Sequence, residues 1–356
     1  VKDLREVTIP EALLALFAVL VLATVLFGAA TSASAFGAFN YGWDGTTDLR
    51  GVAEETTESS VLENASAYER LPGEGTLVIV LGPTDQYSQA ERERIEAFVR
   101  RGGTLLIGGD FGTAGNDLLA GIGASTRIDG TLLRDERHYG QSPALPTARN
   151  VTGVEGIEEL ALNYPSAVTV PEDANVSVLA RTSTYAYADA NRNGEIDDSE
   201  TMRSYPILTW EPIGTGAVLT LSDPSVFINS MLDRGDNRNL AGALLADFDR
   251  VRFDYTHAGG LPPLVATVEV LRSGPLVGFL FGMVLVIGAI LAARIWPVRN
   301  QVDSPAVEGT ILSEDEIVAL VARRHPDWDR DRVRRIARKV VARRSNENQP
   351  DAFDRR

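Results

Sequence analysis

The residues whose spacing carries the most chemistry run from Asp189 to Glu200: Asp-Ala-Asn-Arg-Asn-Gly-Glu-Ile-Asp-Asp-Ser-Glu. Oxygen-bearing side chains stand at positions 1, 3 and 5 of this run (Asp189, Asn191, Asn193), with Gly194 at 6, Asp197 at 9 and Glu200 at 12. This is the pattern of a twelve-residue calcium loop. The glycine permits the sharp turn, the backbone carbonyl of Glu195 serves at position 7, and Glu200 closes the site with both oxygens. The spacing predicts a structural Ca2+ ion held as weakly as in extracellular modules. The preceding Thr182–Ala188 reads as a strand, so the loop is not part of a helix–loop–helix. The competing reading is an acidic hairpin turn.

A second candidate is Asp110 in Gly108-Gly109-Asp110-Phe111-Gly112, a glycine-flanked turn between an apolar strand and a helix. A carboxylate there can act as nucleophile or ligand. It can also simply satisfy free amides near a helix start. The chain has no cysteine, which removes disulfides, thiolate metal sites and a thiol nucleophile. Its three histidines are His138 in a charged loop, His257 near the second apolar segment and His325 in the tail. No Ser/His/Asp relay is evident from these.

Two charge-free apolar segments set the position of these groups, one at 12–30 and one at 275–293. Each suffices to cross a hydrocarbon core of about 30 Å as a helix. Lys2 and Arg5 precede the first, while Arg294 and Arg299 follow the second. The positive-inside rule then places both termini in the cytoplasm and residues 36–272 outside the cell membrane. The expected organisation is a cytoplasmic N-terminus (1–11), a first span (12–30), an extracellular domain (36–272), a second span (275–293) and a cytoplasmic tail with a helical hairpin (297–356). An alternative for the first segment is a cleaved signal peptide, since Thr31–Ala35 is a run of small residues. Three sequons, at Asn64, Asn150 and Asn175, fall on the side read as external.

The formal net charge is −15, and the only lysines are Lys2 and Lys339. Such an acidic, lysine-poor surface suits a halophilic setting and argues against nucleic acid as a partner. Gly274, Gly278 and Gly282 repeat every fourth residue in the second segment, a spacing that lets another helix approach closely. The arginine-rich tail helix, from about Asp329 to Arg344, is suited to the anionic inner leaflet or to a cytosolic protein.

Between the spans the first half alternates strand and helix. Leu77–Leu81 is an apolar strand, Ser88 and Glu91 form a capping box, and Thr104–Ile107 is the next strand. This predicts a parallel crossover. The second half is richer in strands: Val176–Ala180, Tyr205–Trp210, Ala217–Leu221 and Val251–Tyr255. A helical stretch is expected from Asp223 to about Phe248.

The stretch Leu77–Gly123, with Ser88, Gly102-Gly103 and Asp110, and the run Leu221-Ser-Asp-Pro-Ser225, Phe227, Asn229, Asp236-Asn237 resemble the domain-of-unknown-function 4350 family. That family is similar to the glutamine-amidotransferase-like domains of gliding-motility ABC-transporter accessory proteins. The resemblance implies an α/β, flavodoxin-like or amidotransferase-like parallel-sheet ectodomain with a strand-rich second half, flanked by two transmembrane helices and a small helical tail. It also implies the company of a MoxR-type ATPase or an ABC-type envelope system. In amidotransferases the turn at Gly108–Gly112 presents a cysteine, and here Asp110 stands in its place. The expectation is therefore a non-enzymatic membrane protein whose degenerate domain binds a ligand or a partner protein. The alternative is an envelope hydrolase using Asp110.

Overall fold

The computed structural model describes residues 9–154, 156–257, 260–272, 279, 282–283, 286–287, 290–291, 313–326 and 328–347. They fall into two compact units, residues 1–278 and 279–356.

The helices are α1 (Ile9–Ala30), α2 (Thr47–Thr56), α3 (Gln89–Arg100), α4 (Ala114–Gly121), α5 (Asn237–Ala246), α6 (Pro263–Arg272), α7 (Glu314–Arg324) and α8 (Arg330–Glu347). The strands are β1 (Glu58–Leu62), β2 (Thr76–Leu81), β3 (Thr104–Gly108), β4 (Arg127–Ile128), β5 (Leu132–Asp135), β6 (Thr147–Ala148), β7 (Asn150–Val151), β8 (Leu160–Ala161), β9 (Val168–Thr169), β10 (Ser177–Arg181), β11 (Ala186–Asp189), β12 (Pro206–Ile213), β13 (Gly216–Leu221) and β14 (Arg250–Asp254).

One eight-stranded sheet organises the first unit, in the order β1-β14-β2-β3-β13-β12-β10-β7. The five strands from β1 to β13 are mutually parallel, and the last three are antiparallel. The parallel strands are apolar on both faces because both are covered. Val78, Val80, Leu105, Ile107 and Val218 face Ile95, Phe98 and Val99 of α3 and Leu118 and Leu119 of α4. Leu77, Ile79, Leu106, Leu219, Val251 and Phe253 belong to the opposite core, with Leu49 and Ala53 of α2 and Leu240, Ala241 and Leu245 of α5. The expected α/β class and parallel crossover from β2 to β3 are present. So is the strand-rich second half, which forms an excursion between β3 and β13. Three small ribbons, β5/β11, β4/β9 and β6/β8, make up much of that excursion.

The Ser88–Glu91 capping box opens α3 as its sequence requires, and Ser313–Glu316 does the same for α7. Two local expectations are corrected. The stretch after Asp223 is not one helix: Pro224–Phe227 is a single 3-10 turn, and α5 begins only at Asn237. Buried Asp223 and Asn237 spend their side chains on loop backbone, and this interrupts the helix. Likewise Thr182–Ala188 is not one strand. The chain turns after β10, with Ser183 Oγ donating to buried Asp135, before β11 begins.

Among the described residues one helix, across Ala12–Ala30, is long and apolar enough to cross a membrane, with a mean hydropathy of 2.7 and no buried share. It runs beside α6. The second expected span, 275–293, lies largely outside the described residues, as do Gly274 and Gly278 of its glycine repeat. Gly282 is described and has open space around it. In the second unit α7 and α8 pack as the expected hairpin through Ile317, Val333 and Ala337.

Candidate functional site

In an open parallel sheet, ligands sit beyond the carboxyl ends of the strands, where neighbouring strands send their chains to opposite faces. Here that point lies between β3 and β13. The chain leaving β3 enters α4 on one face, and the chain leaving β13 reaches α5 on the other. Each strand delivers a carboxylate to the divide. Asp110 follows β3, half buried, with Oδ1 accepting from its neighbour Phe111 N at 2.6 Å. Asp223 follows β13 and is fully buried. Its Oδ2 accepts from Asn163 N at 2.6 Å and its Oδ1 from Ser225 N at 2.9 Å. Burial pushes the Asp223 carboxyl up to about 7; the two backbone donors oppose the shift and the charge of Asp110 adds to it.

The glycines of this turn act through space rather than through backbone sign. Gly108, Gly109 and Gly112 have no positive φ. A Cβ on Gly108 would stand 2.7 Å from Leu81 Cδ2, and one on Gly109 2.9 Å from Ile128 Cδ1.

Two strands away, at the ends of β2 and β14, a cavity of about 350 Å³ opens beside the same sheet edge. Phe36, Asp85, Tyr87, Asp254 and His257 are among its walls. Asp254 Oδ2 accepts from Tyr68 OH at 2.6 Å and Tyr87 OH at 3.3 Å, and its Oδ1 accepts from Thr256 N at 2.7 Å. Burial, then the Asp254 charge, pushes both tyrosines well above their ordinary range, so they remain donors. His257 Nε2 lies 3.4 Å from Glu91 Oε2, and its ring meets Tyr87 edge-on at 4.6 Å. Burial works to raise the Glu91 carboxyl, but hydrogen bonds with Ser88 and the His257 charge outweigh it and hold it low. Glu91 thus closes the cap of α3 and faces the cavity histidine at once. Gly82, at φ +54°, makes room for the Phe36 ring, which itself sits at φ 57°.

Sequence reasoning used Asp223 only for the resemblance and as a helix start, did not single out Asp254, Tyr68 or Tyr87, and set His257 aside as lying near the membrane. The available signal was positional: Asp223 follows two residues after apolar β13, Asp254 ends β14, and His257 follows three residues after Asp254.

The other candidates lie apart from the cavity. Asp189, Asn191, Asn193, Glu195, Asp197 and Glu200 form one compact loop at the end of β11. Among the described residues no three His, Cys, Asp or Glu side chains are grouped so as to hold a metal ion by themselves. His138 Nδ1 pairs with Arg149 Nη1 at 3.2 Å, and His325 stacks on Trp328 in the tail. Asn64 is exposed and caps a 3-10 turn through Ser66 N, Asn175 is exposed, and Asn150 begins β7.

Comparison with solved structures gives low overlap. The N-terminal domain of mmIFT52 is 17% identical with a TM-score of 0.44, over 56% of this chain and 87% of that one. A cytoplasmic protein from Salmonella typhimurium LT2 is 16% identical with a TM-score of 0.32, over 56% of this chain and 86% of that one. A beta-galactosidase from Bacillus circulans sp. alkalophilus is 14% identical with a TM-score of 0.27, over 48% of this chain but only 22% of the enzyme. No curated protein matches the chain. The pattern of one family, described as a domain of unknown function (DUF4350), matches residues 38–245, from the loop before α2 through α5. That is more than half of the chain and includes both carboxylate-bearing strand ends at the divide, and so the chain belongs to the DUF4350 family.

Proposed function

We propose that this protein is a non-catalytic binding component of a membrane assembly, with the α/β domain outside the membrane and both termini in the cytoplasm. The cavity at the ends of β2 and β14 is its ligand site. The observation that carries this reading is the origin of the cavity's walls. Ser34–Phe36 follow α1 within a few residues, and Asp254–His257 precede α6. A ligand seated there touches both stretches that lead to the anchors, so occupancy biases how the anchors are held. Exposed Asp85 and the carbonyl-rich strand ends favour a small solute bearing amine or hydroxyl donors. The amidotransferase-like ancestry, a second span, and service to a MoxR-type ATPase or ABC-type envelope system belong to the same reading.

The test uses the full chain in detergent. Thermal unfolding is followed while small amines and polyols are added, alongside a glutamine-hydrolysis assay. The expected result is a rise in Tm for at least one such solute, lost in Asp85→Asn, and no hydrolysis. Absence of any Tm rise across the series defeats the binding reading. Hydrolysis by the wild type that disappears in Asp110→Asn establishes the rival. That rival is an envelope hydrolase, and the Asp110–Asp223 pair favours it: a carboxyl whose burial keeps its proton, next to a second carboxylate, is what acid–base catalysis uses.

A further inference from the structure

The loop at the end of β11 begins with a buried carboxylate that Arg134 faces but that is only partly satisfied. Asp189, its first residue, is only 1% exposed. Its Oδ2 accepts from Gly194 N at 3.1 Å, which turns the carboxylate into the loop. Its Oδ1 is buried and has no hydrogen-bond donor. Arg134 does not supply one, since its Nε stops 3.8 Å from Oδ2. A buried carboxylate oxygen without a partner is costly, and a bound cation removes that cost.

The rest of the loop is held together by its own hydrogen bonds. Asn191 Oδ1 accepts from Asn193 N at 3.0 Å, and Asn193 Oδ1 accepts from Glu195 N at 2.8 Å. Glu200 reaches back across the loop, with Oε1 on Ala190 N at 2.9 Å and Oε2 on Asp197 N at 3.2 Å. Asp197 Oδ2 takes the side-chain amides of Asn191 and Asn193 at 2.6 and 3.1 Å. Arg192 and Gly194 hold positive φ, 57° and 82°, which curls the backbone. Asn191 Oδ1, Asn193 Oδ1, both Glu200 oxygens and Asp197 Oδ1 each retain a lone pair for a metal.

We propose that residues 189–200 bind one Ca2+ ion, with Asp189 Oδ1 as the anchoring ligand and Asn191, Asn193, the Glu195 carbonyl, Asp197 and Glu200 completing an all-oxygen shell. Oxygen donors of mixed charge in a flexible loop suit Ca2+ over Mg2+, which demands a tighter octahedron. The ion sets more than local stability. Arg192, the fourth residue of the loop, lies over the Phe111 ring at 4.6 Å, next to Asp110 at the divide between β3 and β13. Ordering the loop therefore fixes a guanidinium over the ring that follows Asp110, two points more than 80 residues apart in the chain.

The experiment titrates CaCl2 into the full chain in detergent, by calorimetry and by limited trypsin cleavage at the exposed Arg192–Asn193 bond. One site per chain is expected, of about 10⁻⁴–10⁻³ M affinity, as in extracellular modules. MgCl2 at the same concentration gives no saturable heat. With Ca2+ at about ten times Kd, cleavage at Arg192 slows about tenfold, because binding depletes the open loop. Glu200→Gln, at a half-exposed position that leaves the fold intact, weakens binding about tenfold or more and abolishes the protection. Asp189→Asn abolishes both if it folds, and Glu200→Gln decides alone if it does not. No binding by the wild type up to about 10 mM, well above that affinity range, overturns the proposal. Binding that Glu200→Gln leaves unchanged overturns it equally, since the ion then sits elsewhere. Neither outcome touches the cavity at β2 and β14, whose test uses other residues and other solutes.

Discussion

Asp223 shows what a single buried carboxyl does to the whole molecule. Its ordinary value in the unfolded chain is about 3.9, and in the fold it stands at about 7. The native state therefore holds a proton that the unfolded state has released. This contribution to stability is fully present below about pH 4 and is lost as pH rises through about 7. The slope is at most about 1.4 kcal/mol per pH unit. Denaturant unfolding at a series of pH values is expected to show Asp223→Asn losing one proton's worth of this slope between about pH 4 and 7. Asp110→Asn removes a charge that raises Asp223 and is expected to move the transition to lower pH. Identical slopes in all three proteins contradict the assignment. A second residue-scale outcome concerns Tyr68, whose hydroxyl donates to Asp254 from a fully buried position. Tyr68→Phe strips one donor from a carboxylate and is expected to cost about 1.5–3 kcal/mol by denaturant titration.

At the scale of elements, the unit β2–α3–β3 is nearly self-specifying. Apolar runs, a capping box and the Gly102-Gly103 stop coincide with the observed boundaries to within two residues. What joins this unit to β13 is a close backbone approach at Gly216. A Cβ there would be driven into the carbonyl oxygens of Gly103 and Val99. Gly216→Ala is accordingly expected to destabilise by about 1–3 kcal/mol through forced backbone movement. Gly51→Ala, inside α2 with open space around its Cα, is expected to stabilise by about 0.5–1 kcal/mol. Measuring both by thermal unfolding separates packing from helix propensity, because the same chemical change is expected to act in opposite directions.

For the whole molecule, the proposed placement across a membrane turns on α1, which is long and apolar enough to cross one. Side chains along α1 face outward without cover, among them Leu14, Phe17, Val19 and Phe27, each more than 60% exposed. A lipid environment removes that surface from water. The chain has no cysteine, so single substitutions report position without background. Exposed Glu172→Cys in the α/β domain is expected to react with a membrane-impermeant maleimide on intact cells. Exposed Arg334→Cys in α8 is expected to react only after lysis. The reverse pattern inverts the topology, and reaction of both on intact cells removes the cytoplasmic tail.

The first apolar segment, the α/β class and the helix caps were legible in the linear order because each rests on neighbours. Periodicity and caps act over about three to four residues. The fate of the run after Asp223 was not legible. Its helical pattern yields to hydrogen bonds that Asp223 and Asn237 make with backbone at Asn163 and Ala161. The site was legible only in part. Asp110 was visible in its turn, but its partner Asp223 arrives from more than 100 residues away through the pairing of β3 with β13. His257 acquires a meaning only where β14 inserts beside β2 and brings it to Glu91. Local order decides which elements form, because their energies are local. Sheet order decides which carboxylates meet, because strand pairing disregards distance along the chain.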